Sequence, residues 1–174
     1  MKFKKYGGIL PFGICSFLLL TVFVTEKLMN VKLRNISQMI LLWSFILSAI
    51  FMFFLLCKRL LKAHPALKMG MYVILTVLSC IVIYLGLVVS TFKYTPEHIV
   101  ERNGIKMTAC VDSFLQKTVY YYEYKNILFR GAEIIGYEDY GNGSGDPLDE
   151  ESRQPNRWYF KDLEGNQLEV GGEN

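Results

Sequence analysis

The stretch Glu138 to Glu151, EDYGNGSGDPLDEE, concentrates the side chains of this chain that could hold a cation. Asp139, Asp146, Asp149 and Glu150 are hard oxygen donors, and Gly141, Gly143 and Gly145 let the backbone bend around an ion. Calcium takes about six to eight such oxygens, so these four carboxylates form a candidate Ca2+ site. Their spacing departs from the EF-hand, which alternates its acids and closes on a glutamate. A solvated acidic loop has the same composition.

The second group with chemical potential is tyrosine. Thr118 to Lys125 has the alternation of a strand, with Tyr120, Tyr122 and Tyr124 on one side and Val119 and Tyr121 on the other. Tyrosine favours half-buried pleated surfaces, so strand packing is one role for the first three. A partner-binding surface is the other, because a rigid ring supplies contact area at low entropic cost. The same rings also suit the headgroup layer of a bilayer. A third group is small: Ser44 with Ser48, and Gly86 with Ser90, each spaced to let two apolar helices approach closely.

Catalytic patterns are missing. There is no GxSxG, HExxH, phosphate-binding glycine loop or dinucleotide fingerprint. Of the two histidines, His64 and His98, only His98 shares the tail with Cys110; the two could approach across a hairpin, but no third residue orients them as a nucleophilic pair. The expectation is a protein that is not an enzyme.

Three long uncharged runs dominate the first half: residues 7–24, 38–57 and 71–92. Each is long enough to cross a hydrocarbon core about 30 Å thick as a helix, the only single-segment structure that satisfies its own backbone there. None has the polar stripe of a helix on a soluble core. Residues 1–92 carry ten basic side chains against Glu26 alone, a balance of +9, and residues 93–174 carry nine against fifteen acids, a balance of −6; together they make the net +3. The positive charge therefore flanks apolar spans, and a nucleic-acid partner is excluded as the reason for it. Lys2, Lys4 and Lys5, with the 58–70 loop carrying Lys58, Arg59, Lys62 and Lys68, place the N-terminus and that loop in the cytoplasm. The 25–37 loop and the tail then face outward. No Asp, Glu, Lys, Arg or His lies within a span, which argues against a pump or transporter acting alone.

The tail switches to period two. His98–Arg102 and Ile105–Phe114 flank Asn103-Gly104, a hairpin signature. Ile105, Met107, Ala109 and Val111 share one face, and Lys106, Thr108, Cys110 and Asp112 the other. Thr118–Lys125 follows, with Ile127–Phe129 extending it past a bend at Asn126; then come Glu133–Tyr140 and a closing hairpin, Trp158–Asp162 with Gln167–Val170. The fold expected is three transmembrane helices (1–92) followed by a small, mostly antiparallel extracytoplasmic β domain (93–174) of five to seven strands.

Tyr124 to Pro147, YKNILFRGAEIIGYEDYGNGSGDP, with its Phe129-Arg130-Gly131 and Tyr140-Gly141-Asn142-Gly143 steps, resembles uncharacterised small multi-pass membrane proteins of low-GC Gram-positive bacteria. The resemblance implies a bacterial cell membrane and brings no activity or site residues with it. The expected function is a non-enzymatic integral membrane protein whose outward domain binds or senses a membrane-protein or secreted-protein partner. The alternatives are an accessory subunit of a transporter or secretion complex, and an immunity protein against a toxin or bacteriocin.

Overall fold

The computed structural model describes residues 9–60, 65–113, 116–143, 145–149 and 154–172. The chain divides into two compact units, Met1–Val24 with Gln38–Lys93, and Thr25–Ser37 with Tyr94–Asn174.

The first unit is helical. α1 (Ile9–Met29), α2 (Asn35–Leu60) and α3 (Pro65–Lys93) have 21, 26 and 29 residues, all three long and apolar enough to cross a membrane. Pro65 opens α3, where its missing N–H costs nothing, and Pro96 lies just past its end. Hydroxyls inside the helices are satisfied by the carbonyl one turn back, as in Ser16 to Phe12, Thr76 to Tyr72 and Ser79 to Leu75. Rings supply the inter-helix packing: Phe12 meets Phe45 at 5.3 Å between centroids, and Phe54 stacks on Tyr72 at 6.0 Å. Trp43 lies against Gly86, where an added Cβ would come within 2.9 Å of the indole, and its Nε1 donates to Ser90 Oγ at 3.1 Å. Gly86 and Ser90 therefore form a notch for one side chain of α2.

The second unit is an antiparallel sheet of seven strands: β1 (Val31–Leu33), β2 (Glu97–Arg102), β3 (Ile105–Asp112), β4 (Gln116–Tyr124), β5 (Phe129–Asn142), β6 (Arg157–Lys161) and β7 (Gln167–Gly172). β2 to β7 pair in sequence order, and β1 joins the free edge of β5. Asn103 (φ 53°) and Gly104 (φ 74°) make the tight turn that their identities predict. Three expectations change. β1 sits in what reads as an inter-span loop, because three residues are too few to show alternation. Residues 25–37 therefore belong to the β unit, whose extent is wider than 93–174. Residues 126–129 do not continue β4: the Asn126 carboxamide accepts from the N–H groups of Leu128 and Phe129, closing a turn, and Phe129 opens β5. And β3 is buried on both faces, since Thr108 and Cys110 are as enclosed as Met107, Ala109 and Val111.

The inner face of the sheet carries the core: Met107, Ala109, Val111, Val119, Tyr121, Ile135, Tyr140 and Phe160. Ile135 reaches it through a bulge in β5, as the extra residue between Ile134, opposite Tyr122, and Gly136, opposite Tyr121. Gly136 must be glycine because the Phe160 ring fills the place of its Cβ, within 2.3 Å. Near the end of edge strand β2, Arg102 donates to Glu169 on the opposite edge strand β7 at 2.9 Å, and Asn103 adds a bond to the same carboxylate at 2.7 Å. The sheet thus curls until its two edges are bridged, with the core inside.

Candidate functional site

Four groups of polar side chains grow out of this register. Glu138 lies inside the core, paired across to Val119 and Trp158, and is only 6% exposed. Its carboxylate accepts from Arg102 at 2.6 Å, from the Tyr121 hydroxyl at 2.5 Å and from the Tyr140 hydroxyl at 2.9 Å. Arg102 in turn covers the Phe160 ring at 4.1 Å. Burial first, and the bond to Glu138 second, hold both tyrosine hydroxyls protonated well above their ordinary range. The shared acceptor is enclosed, with only Arg102 reaching solvent, so the role of the network is to specify the core.

Glu97 is the outer counterpart, with its side chain 1% exposed. It accepts from Arg34 Nε at 2.8 Å and from the Asn35 backbone N–H, the first of α2, at 3.0 Å. Asn35 also donates from its carboxamide to the Thr95 carbonyl at 3.0 Å. One carboxylate therefore ties the chain entering α2 to the chain leaving α3, while satisfying a helix N-terminus. Arg130 Nε approaches it at 4.0 Å, and that guanidinium lies over the Tyr122 ring, its Cζ 3.6 Å from the centroid. Cys110 Sγ lies 3.8 Å from the same carboxylate. Burial pushes the Cys110 thiol up to about 12, so it is neutral at physiological pH and is no nucleophile. His98 does not meet it, since His98 pairs across to Ala109 on the inner face. Cys110 should resist maleimide at pH 8 in the native protein and react only after unfolding, as read by mass spectrometry.

The third group is a row of tyrosines. Cys110, Tyr120, Tyr137, Tyr159 and Val170 are directly opposed partners across β3 to β7, on the outer face. Tyr137 and Tyr159 stack at 6.2 Å, and Tyr137 and Val170 are 37% and 58% exposed. Gln116, Thr118, Tyr120, Tyr137 and Asp139 line an open depression at this row. Tyr120, Tyr122 and Tyr124 do share the outer face, but they do not act together. Tyr122 is covered by Arg130, and Tyr124 carries Lys106 over its ring at 4.5 Å. Tyr120 instead joins Tyr137 and Tyr159, which only strand register could reveal.

The fourth group replaces the carboxylate set expected from the sequence. Asp139 is spent locally, accepting from the Gly141 N–H at 2.8 Å and from Gln116 Nε2 at 2.9 Å. Glu150 lies outside the described residues. Asp146 and Asp149 are joined by His98, whose Nε2 lies 2.6 Å from Asp146 Oδ2. Among the described residues this is the set whose ligand atoms converge, all within 4.8 Å of one another. Of the helix-packing candidates, Gly86 and Ser90 receive Trp43, while Ser44 and Ser48 bond back to the carbonyls of Ile40 and Phe45 in their own helix.

No protein-family model, curated protein or solved structure matches this chain.

Proposed function

We propose that this is a multi-pass integral membrane protein whose β unit is an outward-facing, non-enzymatic binding or sensing domain. The observation that carries the proposal is the tyrosine row: Tyr137 and the half-buried Tyr159 stack on the outer face, outside a core that is complete without them. Aromatic rings displayed on a rigid sheet supply protein-binding area at low entropic cost. The direction of the domain rests on the lysines and arginines at the N-terminus and in the 58–70 loop, which favour the cytoplasmic side. The partner is a membrane or secreted protein. The accessory-subunit alternative draws less support, because Gly86/Ser90, one of the two small-residue faces it would use, is occupied by Trp43.

The test joins topology to the row. Protease added to intact spheroplasts should cut the β unit, and protease added to inverted vesicles should not. A partner cross-linked and purified in stoichiometric amount from native membranes should be lost from a Tyr137→Ala/Tyr159→Ala double variant. That variant should unfold within about 1 kcal/mol of the parent, since both rings lie outside the core. A partner retained by the double variant, or a β unit cut only in inverted vesicles, would sink the proposal.

A further inference from the structure

We propose that His98, Asp146 and Asp149 form a binding site for one divalent transition-metal ion of the zinc or manganese type, whatever the tyrosine row binds. The donors come from two places 48 residues apart in sequence: His98 from edge strand β2, and the aspartates from the loop after β5. Their ligand atoms lie within 4.8 Å of one another. Around an ion with bonds of about 2.0–2.2 Å, tetrahedral ligands stand roughly 3.4 Å apart. An ion therefore replaces the hydrogen bond between His98 and Asp146, drawing those two atoms apart from 2.6 Å, while Asp149 closes on them. Asp149 can supply that movement because it is exposed. The backbone of His98 is fixed by its pairing with Ala109 in β3.

Asp146 is the residue that gives the site its form. Its side chain is 14% exposed and points one oxygen at His98. The other oxygen accepts the Leu148 N–H at 2.9 Å, and Leu148 packs on the hydrophobic core. Metal sites fix a ligating carboxylate with a hydrogen bond of this kind. The loop lies close over Lys117: an added Cβ at Gly143 (φ +143°) would sit 3.1 Å from its Cε. The chemistry of the donor set names the metal class. Calcium and magnesium take oxygen alone, whereas one imidazole with two carboxylates suits Zn2+ or Mn2+. Two carboxylates also balance the charge of one divalent ion. The acidic loop thus contributes two of the four carboxylates that composition nominates, and the deciding ligand comes from another strand.

The experiment is calorimetric titration of the untagged full-length protein in detergent micelles with Zn2+, Mn2+ and Ca2+, each added alone. One equivalent of Zn2+ or Mn2+ should bind, with Ca2+ at least about a hundredfold weaker. Asp149→Asn and His98→Gln should each weaken binding by about tenfold or more. Asp139→Asn and His64→Gln should leave it unchanged; the second controls for the one other histidine. Asp149 is exposed, so its variant keeps the fold and carries the test even if His98→Gln lowers stability. Absence of saturable binding, a preference for Ca2+, or full affinity in both ligand variants would overturn the proposal.

Discussion

Glu138→Ala should destabilise the β unit by about 3 kcal/mol or more. The reason is asymmetric satisfaction. Two buried hydroxyls, Tyr121 and Tyr140, and one guanidinium, Arg102, share this acceptor. Removing it leaves three donors without their partner, and an unmet buried donor costs about 1–3 kcal/mol. Arg102 is 36% exposed and recovers part of its loss from water, so the tyrosines dominate. Tyr121→Phe and Tyr140→Phe should each cost only about 1 kcal/mol, since each removes donor and demand together. Urea unfolding of the full chain in micelles, followed by hydrogen exchange in β3 to β5, checks the ordering. Equal losses from Glu138→Ala and from Tyr140→Phe would refute it. This network, together with Cys110 beside Glu97, sets an alkaline limit. The Tyr121 and Tyr140 hydroxyls and the Cys110 thiol are all raised by burial, so the folded form keeps protons that the unfolded chain releases. Their stabilisation is intact below about pH 9 and declines as pH climbs towards 12.

Glu97→Ala should be comparably severe but different in place. It takes the partner from Arg34, the acceptor from the first N–H of α2, and the nearest carboxylate from Arg130. Breaking one side of a buried pair costs about 3–5 kcal/mol. The loss should be local. Hydrogen exchange should accelerate across Asn30–Asn35 and β2, and Cys110 should become open to maleimide, while β6 and β7 keep their protection. Glu97→Gln, which retains an acceptor for Asn35, should lose less than half as much. Uniform acceleration across all seven strands would show that Glu97 supports the whole sheet rather than the junction.

Much of the architecture is legible without coordinates. Long runs without charge permit only a helix in an apolar surrounding, and Asn-Gly between alternating segments permits only a tight hairpin. Those signals are local, carried by each segment's own residues. What eluded inspection was short or paired at a distance. β1 is a strand because β5 offers it a free edge, and VKL alone carries no such information. Thr108 and Cys110 belong to the alternation of a solvent face, yet both are buried, Cys110 against the Glu97 carboxylate.

The candidate sites divide the same way. Residue type identified the acidic loop and the tyrosine strand, because hard oxygens and rigid rings have chemistry wherever they stand. Register then decided which members act together. A strand shows only its own alternation, so Tyr120, Tyr122 and Tyr124 look equivalent until Tyr137 and Tyr159 are found beside the first and cations over the other two. Asp139 looks like a ligand until its oxygens are found bonded to Gly141 and Gln116, and His98 looks idle until the loop brings Asp146 to it. Composition and periodicity therefore determined the helices, the sheet class and the kinds of donor available. Only the folded chain decided the partners, because an ion or a binding surface is met by side chains close in space, whatever their separation in sequence.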